Sequence, residues 1–236
     1  MLHHPSKLEM AKEGFKASLP IALGYIPVAI TFGVLAMQAG MSLLEVTLMS
    51  ALVYAGASQF MGANMIAVQA SAIEIIVATF VLNFRHFIMS FSFANTVRET
   101  VPLRGRFLLS LGLTDESFAV AAIEKDKSHE KNSTYFYSAL FLTAYLSWLA
   151  GSFLGGLLGE VIPEQLSQSM GIALYAMFIG LLIPAVKVNV RLAYIAVLAM
   201  LVNLIFSQFI SEGWAIVLGT IIGGASGIYF LKEKKV

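Results

Sequence analysis

Residues 75–97 read IIVATFVLNFRHFIMSFSFANTV, a run long enough to cross a bilayer as a helix and carrying Arg85 and His86 near its middle. At about 1.5 Å per residue such a helix covers the hydrocarbon core. Shifting its start does not free it of charge. Only ten residues separate Glu74 from Arg85, too few to cross, so any span drawn here includes one or both. A charge at mid-bilayer costs several kcal/mol by insertion scales and is normally tied to a partner or a pathway. A second run, 107–123, is apolar at both ends with Asp115 and Glu116 in its centre. A cation and an acidic couple at membrane depth, on separate segments, constrain this chain more than anything else in it.

The remaining composition sets the class. Of 236 residues, 58% are hydrophobic and 12% charged, where soluble domains carry about a quarter charged residues. The expectation is an all-α integral membrane protein, one domain over 1–236, with no room for a separate soluble domain. The net charge of +1 gives no footing for nucleic acid. With no cysteine there is no disulfide and no thiolate site, and His3 and His4 are too few for a metal tract; no cofactor is expected. The apolar run from Ala17 to Leu44 is too long for a signal peptide and reads as a retained first helix.

Charges divide the chain into eight apolar runs: 17–44, 46–73, 75–97, 107–123, 132–159, 165–186, 192–211 and 213–231. Counting back from Lys232, Lys234 and Lys235 as cytoplasmic, the 211–213 turn falls outside. Lys187 and Arg191 then fall inside, Glu160 and Glu164 outside, and the 124–133 loop inside, all in keeping with the positive-inside rule. If 107–123 crosses, Arg98, Arg104 and Arg106 land on the wrong side. The rule is restored if 107–123 enters from the cytoplasm and returns while 46–73 does the same from outside; Lys7, Lys12 and Lys16 then also become cytoplasmic. The expected architecture is thus six full spans plus two broken, re-entrant segments, with both termini cytoplasmic. The alternative is eight plain transmembrane helices. Both runs have a breakable centre: Tyr54-Ala55-Gly56-Ala57-Ser58-Gln59 in one and Gly112-Leu113-Thr114-Asp115-Glu116-Ser117 in the other. Irregular backbone at that depth belongs where it is buried in protein or lines a cavity, and transporters use it at midplane sites.

Candidate site residues follow. Arg85 suits a carboxylate, with Asp115 or Glu116 as its ion-pair partner. His86 titrates near neutrality and is a candidate proton carrier, though it faces about 100° away from Arg85 on an ideal helix. Asn83, Ser58, Gln59 and Tyr54 offer uncharged hydrogen-bonding groups, and a half-helix starting near Ala57 would present free N–H groups to an anion. Fixed charges of both signs beside apolar walls suit a zwitterion with an apolar side chain; the alternative is a channel or a scaffold subunit for a small hydrophobic solute. Gly151, Gly155 and Gly159, and Gly219, Gly223 and Gly227, form small-residue stripes, for packing within the chain or for a second membrane subunit. Pro184 is expected to end the sixth helix. No internal repeat is evident. The chain lacks a P-loop, an HExxH and a second intramembrane aspartate, so an enzyme is not expected.

The runs YAGASQF (54–60), NFRH with its following MS (83–90) and LTDESFA (113–119) together resemble the AzlC family, large subunits of bacterial branched-chain amino acid exporters, over roughly residues 11–230. The resemblance implies a multi-pass protein of the bacterial cytoplasmic membrane that exports leucine, isoleucine, valine and methionine-like solutes. It also implies a small AzlD-type membrane partner and is compatible with proton-coupled antiport; a higher oligomer is a separate expectation, with the number of complexes left open.

Overall fold

The computed structural model describes residues 5–159, 161–163, 169 and 172–230. Lys232, Lys234, Lys235, Glu160, Glu164, His3 and His4, invoked above, lie outside the described residues. Among those residues the chain is all helical: α1 (Lys7–Gln38), α2 (Leu43–Leu52), α3 (Gly56–Ala67), α4 (Ala72–Thr96), α5 (Leu103–Ser110), α6 (Asp115–Ile123), α7 (Ser133–Leu158), α8 (Ile172–Val188), α9 (Arg191–Phe206) and α10 (Glu212–Phe230). α1, α4 and α7 are each long and apolar enough to cross a membrane. The protein is a polytopic helical membrane protein.

Three helix starts share one device. Ser6 with Glu9, Ser42 with Glu45 and Ser71 with Glu74 each form a capping box at the head of α1, α2 and α4. The serine hydroxyl accepts from the third helical N–H and the glutamate reaches back to the cap N–H. Glu45 and Glu74 therefore do not separate apolar runs; they sit inside the first turns of α2 and α4, and Glu74 is no buried charge. α1 likewise begins at Lys7 and takes in Lys12 and Lys16 rather than starting at Ala17. Pro184 lies inside α8 and does not end it.

The core is the pairing of α1 with α7. Gly14 approaches Phe136, Gly151 approaches Ala29, Gly155 approaches Ile30 and Gly159 approaches Met37. Contacts that advance together along both helices mean the two run parallel, their backbones brought close by the missing Cβ atoms. The stripe at Gly151, Gly155 and Gly159 is thus occupied within the chain. Gly219 and Gly223 likewise seat on α9 at Asn203 and Ala199. Around this pair pack Phe32, Phe60, Phe136 and Tyr137, all fully buried. α4 runs the opposite way, with Phe93 against Tyr137 and Phe141 near the start of α7 and Asn83 beside Ser58 further along.

Neither 46–73 nor 107–123 is one helix. The first is broken at 53–55 and the second at 111–114, and at each break the chain reverses. Leu43 and Val46 lie by Gly156 late in α7, and Tyr145, earlier in α7, donates to the Ala51 carbonyl. α3 then returns, from Gly56 on Trp148 to Met65 beside Gly213, at the end where α4 starts. The second hairpin enters from the other end. The Ser128 carbonyl, beyond α6, and Ser133 both bond Thr100, ahead of α5, while Gly112 meets Phe141 and the Leu113 carbonyl meets His86 in mid-helix. Two half-length hairpins thus point at each other. α1 with its hairpin and α4 with its hairpin are the same arrangement in opposite senses.

Candidate functional site

The hairpin tips and the middles of α1, α4 and α7 enclose a small polar chamber. It is lined by Tyr25, Tyr54, Arg85, His86, Asp115 and Glu116, and its cavity of about 20 Å³ has room for about one water. Arg85 Nη1 pairs with Asp115 Oδ2 at 2.7 Å, which decides its partner between the two acids. Glu116 turns instead to α1: Tyr25 Oη lies 2.6 Å from Glu116 Oε2 and 2.6 Å from Thr114 Oγ1. With a single hydrogen, the phenol donates to the charged acceptor, and the threonine hydroxyl supplies the other contact.

The two acids occupy the first turn of α6. Thr114 caps that helix, accepting from the Ser117 N–H while the Ser117 side chain holds the cap. Their negative charge falls where the helix dipole favours it. Across the chamber α3 opens at Gly56 with no side-chain cap, so its first-turn N–H groups face the same space as Arg85. Gly56 is required there: a Cβ would meet the Trp148 ring at 2.8 Å. Tyr54, at the tip, holds φ 41°, a left-handed conformation costing a non-glycine residue about 1–3 kcal/mol and typical of functional positions. Its ring is buried and packs edge-on against Tyr145 at 5.0 Å.

His86 shares the chamber with Arg85 despite the angle between them on the helix. The second tip is a non-helical turn laid across the face of α4, so Arg85 takes Asp115 while His86 Nδ1 meets the Leu113 carbonyl at 3.1 Å. Asn83 Nδ2 donates to Ser58 Oγ at 3.0 Å, which in turn donates to the Ala55 carbonyl. Gln59 is taken up inside the hairpin: its Nε2 donates to Ser50, and its Oε1 accepts from Trp148 Nε1 and the Ala55 N–H. It braces the tip rather than facing the chamber. Tyr25 and Trp148 belong to the site without a sequence signal of their own beyond the setting of Tyr25 between Pro20 and Pro27, and Thr114 was marked only as part of the breakable centre.

His86, Tyr54 and Ala55 also line a second cavity of about 810 Å³, within the range of about 300–1,000 Å³ usual for small-molecule sites. Its other walls are largely apolar, with Phe87, Leu109, Phe141 and Leu142 among them. A polar chamber carrying both charges thus adjoins an apolar pocket, and His86 belongs to both.

A family model described as "AzlC protein" matches residues 20–162, from within α1 to just past α7. The chain belongs to the AzlC family. Similar proteins include an uncharacterized membrane protein of Archaeoglobus fulgidus, 35% identical over 188 residues, 79% of this chain and 80% of that one. Inner membrane protein YgaZ of Escherichia coli is 30% identical over 72% of this chain and 71% of its own length. The branched-chain amino acid transport protein AzlC of Bacillus subtilis is 23% identical, covering 73% of this chain and 66% of that protein. No solved structure matches the chain.

Proposed function

We propose that this AzlC-family chain is the transporting subunit of a secondary exporter for branched-chain amino acids, driven by proton exchange and assembled with a small AzlD-type membrane subunit. The observation that carries this is the Arg85–Asp115 pair at 2.7 Å set beside an apolar pocket of about 810 Å³. The cation suits the carboxylate of a zwitterion, and the substrate's branched side chain has apolar walls. The Bacillus subtilis relative, named for branched-chain amino acid transport, supports the same substrate class.

The membrane frame belongs to this proposal. Lys7, Lys12, Lys16, Arg98, Arg104, Arg106, Lys125, Lys127 and Lys131 gather at one end of the bundle, which is then the cytoplasmic face of a bacterial inner membrane. α2–α3 re-enters from outside and α5–α6 from the cytoplasm, leaving α1, α4, α7, α8, α9 and α10 as full spans and both termini inside. Arg98→Cys and Lys125→Cys should react with an impermeant maleimide from the cytoplasm and Gln69→Cys only from outside; labelling of Arg98→Cys from outside would refute the two re-entries. For transport, labelled leucine in proteoliposomes should show counterflow, which an open pore cannot give, and Arg85→Ala and Asp115→Asn should each abolish it in protein that still inserts. Normal counterflow in both variants would remove the site from the mechanism.

A further inference from the structure

His86 and Asn83 each carry a buried acceptor whose direction is set by the other end of the same side chain. His86 Nδ1 lies 3.1 Å from the Leu113 carbonyl oxygen. A carbonyl only accepts, so Nδ1 bears the ring hydrogen and Nε2 of the neutral ring presents a lone pair. Asn83 Nδ2 donates to Ser58 Oγ, whose own hydrogen goes to the Ala55 carbonyl at 2.9 Å. This order of donors fixes the amide, with Oδ1 turned away from Ser58. Among the described residues, neither Asn83 Oδ1 nor His86 Nε2 has a hydrogen-bond partner, and both atoms are buried. Residues three apart on a helix share a face, and these two line the same apolar pocket.

Buried acceptors left bare are costly, and two of them on one helix face suit a single group carrying several hydrogens. Two nearby donors are committed elsewhere, Arg85 Nη1 to Asp115 and the Tyr25 phenol to Glu116, and the two without a partner, Arg85 Nε and the Tyr54 hydroxyl, bond neither acceptor. We infer that the substrate's ammonium group docks on Asn83 Oδ1 and His86 Nε2, so that substrate and proton compete for one lone pair on His86. This rests on the amino-acid transport proposed above. A protonated imidazolium offers a hydrogen and a positive charge where the ammonium needs an acceptor, so the two cannot bind together. The proton released from Nε2 passes to water on whichever side is open, and one substrate exchanges for one proton. The charged and titratable groups facing His86 are Arg85 on its own helix, Asp115 and Glu116 on α6, Tyr25 on α1, Tyr54 at the first tip and Tyr145 on α7; the α5 residues at the pocket, Leu108 to Ser110, do not titrate.

The test uses the purified full-length chain and labelled leucine at equilibrium between about pH 5 and 8, the range in which histidine changes charge. Wild-type affinity should fall by up to tenfold per pH unit at the acid end. Leucine binding there should release close to one proton, and 4-methyl-2-oxopentanoate, which lacks the ammonium, should not compete at 100-fold excess. His86→Gln should bind more weakly with a flat pH profile, and Asn83→Ala should lose at least tenfold at pH 8. The wild-type proton release needs no variant, so misfolding of His86→Gln leaves the inference testable. A wild-type slope in His86→Gln, leucine binding without proton release, or full competition by the oxo acid would overturn the inference and leave leucine transport intact. Failure of the wild type, reconstituted together with its small membrane subunit, to exchange leucine in proteoliposomes would instead overturn the transport proposal.

Discussion

Arg85 faces two acids one residue apart and takes only one of them, which a double-mutant cycle can measure. Breaking a fully buried ion pair by removing one partner costs roughly 3–5 kcal/mol, whereas exposed pairs are worth about 0–1 kcal/mol. The Arg85 and Asp115 side chains are 31% and 30% exposed. Weighting the two limits by that exposure gives about 3 kcal/mol for Arg85→Met. At about 2–4 °C per kcal/mol for a chain of this size, the melting temperature in detergent should fall by about 6–12 °C. Asp115→Asn should cost at least as much. In Arg85→Met the orphaned carboxylate keeps the α6 dipole, whereas in Asp115→Asn the guanidinium loses its counter-charge, and its Nε already lacks a hydrogen-bond partner among the described residues. The double variant should recover about 2 kcal/mol of the summed loss, within the range for residues in contact. Arg85→Met combined with Glu116→Gln should couple less strongly, since Glu116 bonds Tyr25 and not Arg85. Additivity of the Asp115 cycle, or a larger coupling through Glu116 than through Asp115, would refute the pairing.

Three further outcomes follow from the packing. Gly155→Leu should abolish folded yield, because even a Cβ there would overlap the Ile30 carbonyl oxygen; a fluorescent fusion in size-exclusion chromatography reads this directly, and Gly24→Leu, with open space around it, should run as wild type. Tyr25→Phe should cost about 1.5–3 kcal/mol in detergent stability, the usual value of a hydrogen bond to a charged group, with Glu116 losing its phenol donor. Outside the membrane segments, Lys127 Nζ donates to Glu13 at 2.6 Å and to Glu130 at 3.1 Å, and the bond to Glu13 raises the ammonium pKa above its ordinary value. A raised pKa in the folded state means this tie is fully present below the unfolded value of about 10.4 and lost as pH climbs through the folded one. A spin label at Asp126→Cys should therefore stay immobile at pH 9 and loosen only above about pH 10.5; loosening at neutral pH would show that the tie does not hold the loop.

How much of this was legible depends on which force set each feature. Charge placement singled out 46–73 and 107–123 as the two runs that turn back, and the structure breaks both into half-length helices. It misplaced helix starts, because a glutamate three residues after a serine marks a capping box rather than a boundary. Glu45 and Glu74 were signals of that kind in plain view, each preceded by its serine. Arg85 and the acidic couple stood out as expensive charges, but the choice of Asp115 over Glu116 depends on the turn at 111–114, which no periodicity encodes. Tyr25 and Trp148 were silent for a different reason: one aromatic in an apolar helix looks like core, and only the tertiary fold places Tyr25 against Glu116 or Trp148 against Gln59.

The inverted arrangement explains why no repeat could be seen along the chain. The half-helix after each break begins at equivalent places, Gly56 and Asp115, and each has a serine at its third position, Ser58 and Ser117. The surrounding side chains differ because the two tips do opposite electrostatic work. One exposes bare helix N–H groups and a glycine; the other sets two carboxylates on the same kind of helix start. Each full helix also reaches the hairpin that follows the other, Tyr25 of α1 touching Thr114 and Glu116, and Asn83 of α4 touching Ser58. A displacement of either hairpin would therefore be transmitted through these bonds to the helix that precedes the opposite one. Coupling of this sort comes from crossed hydrogen bonds between two inverted units, and similarity in sequence between those units is not needed for it.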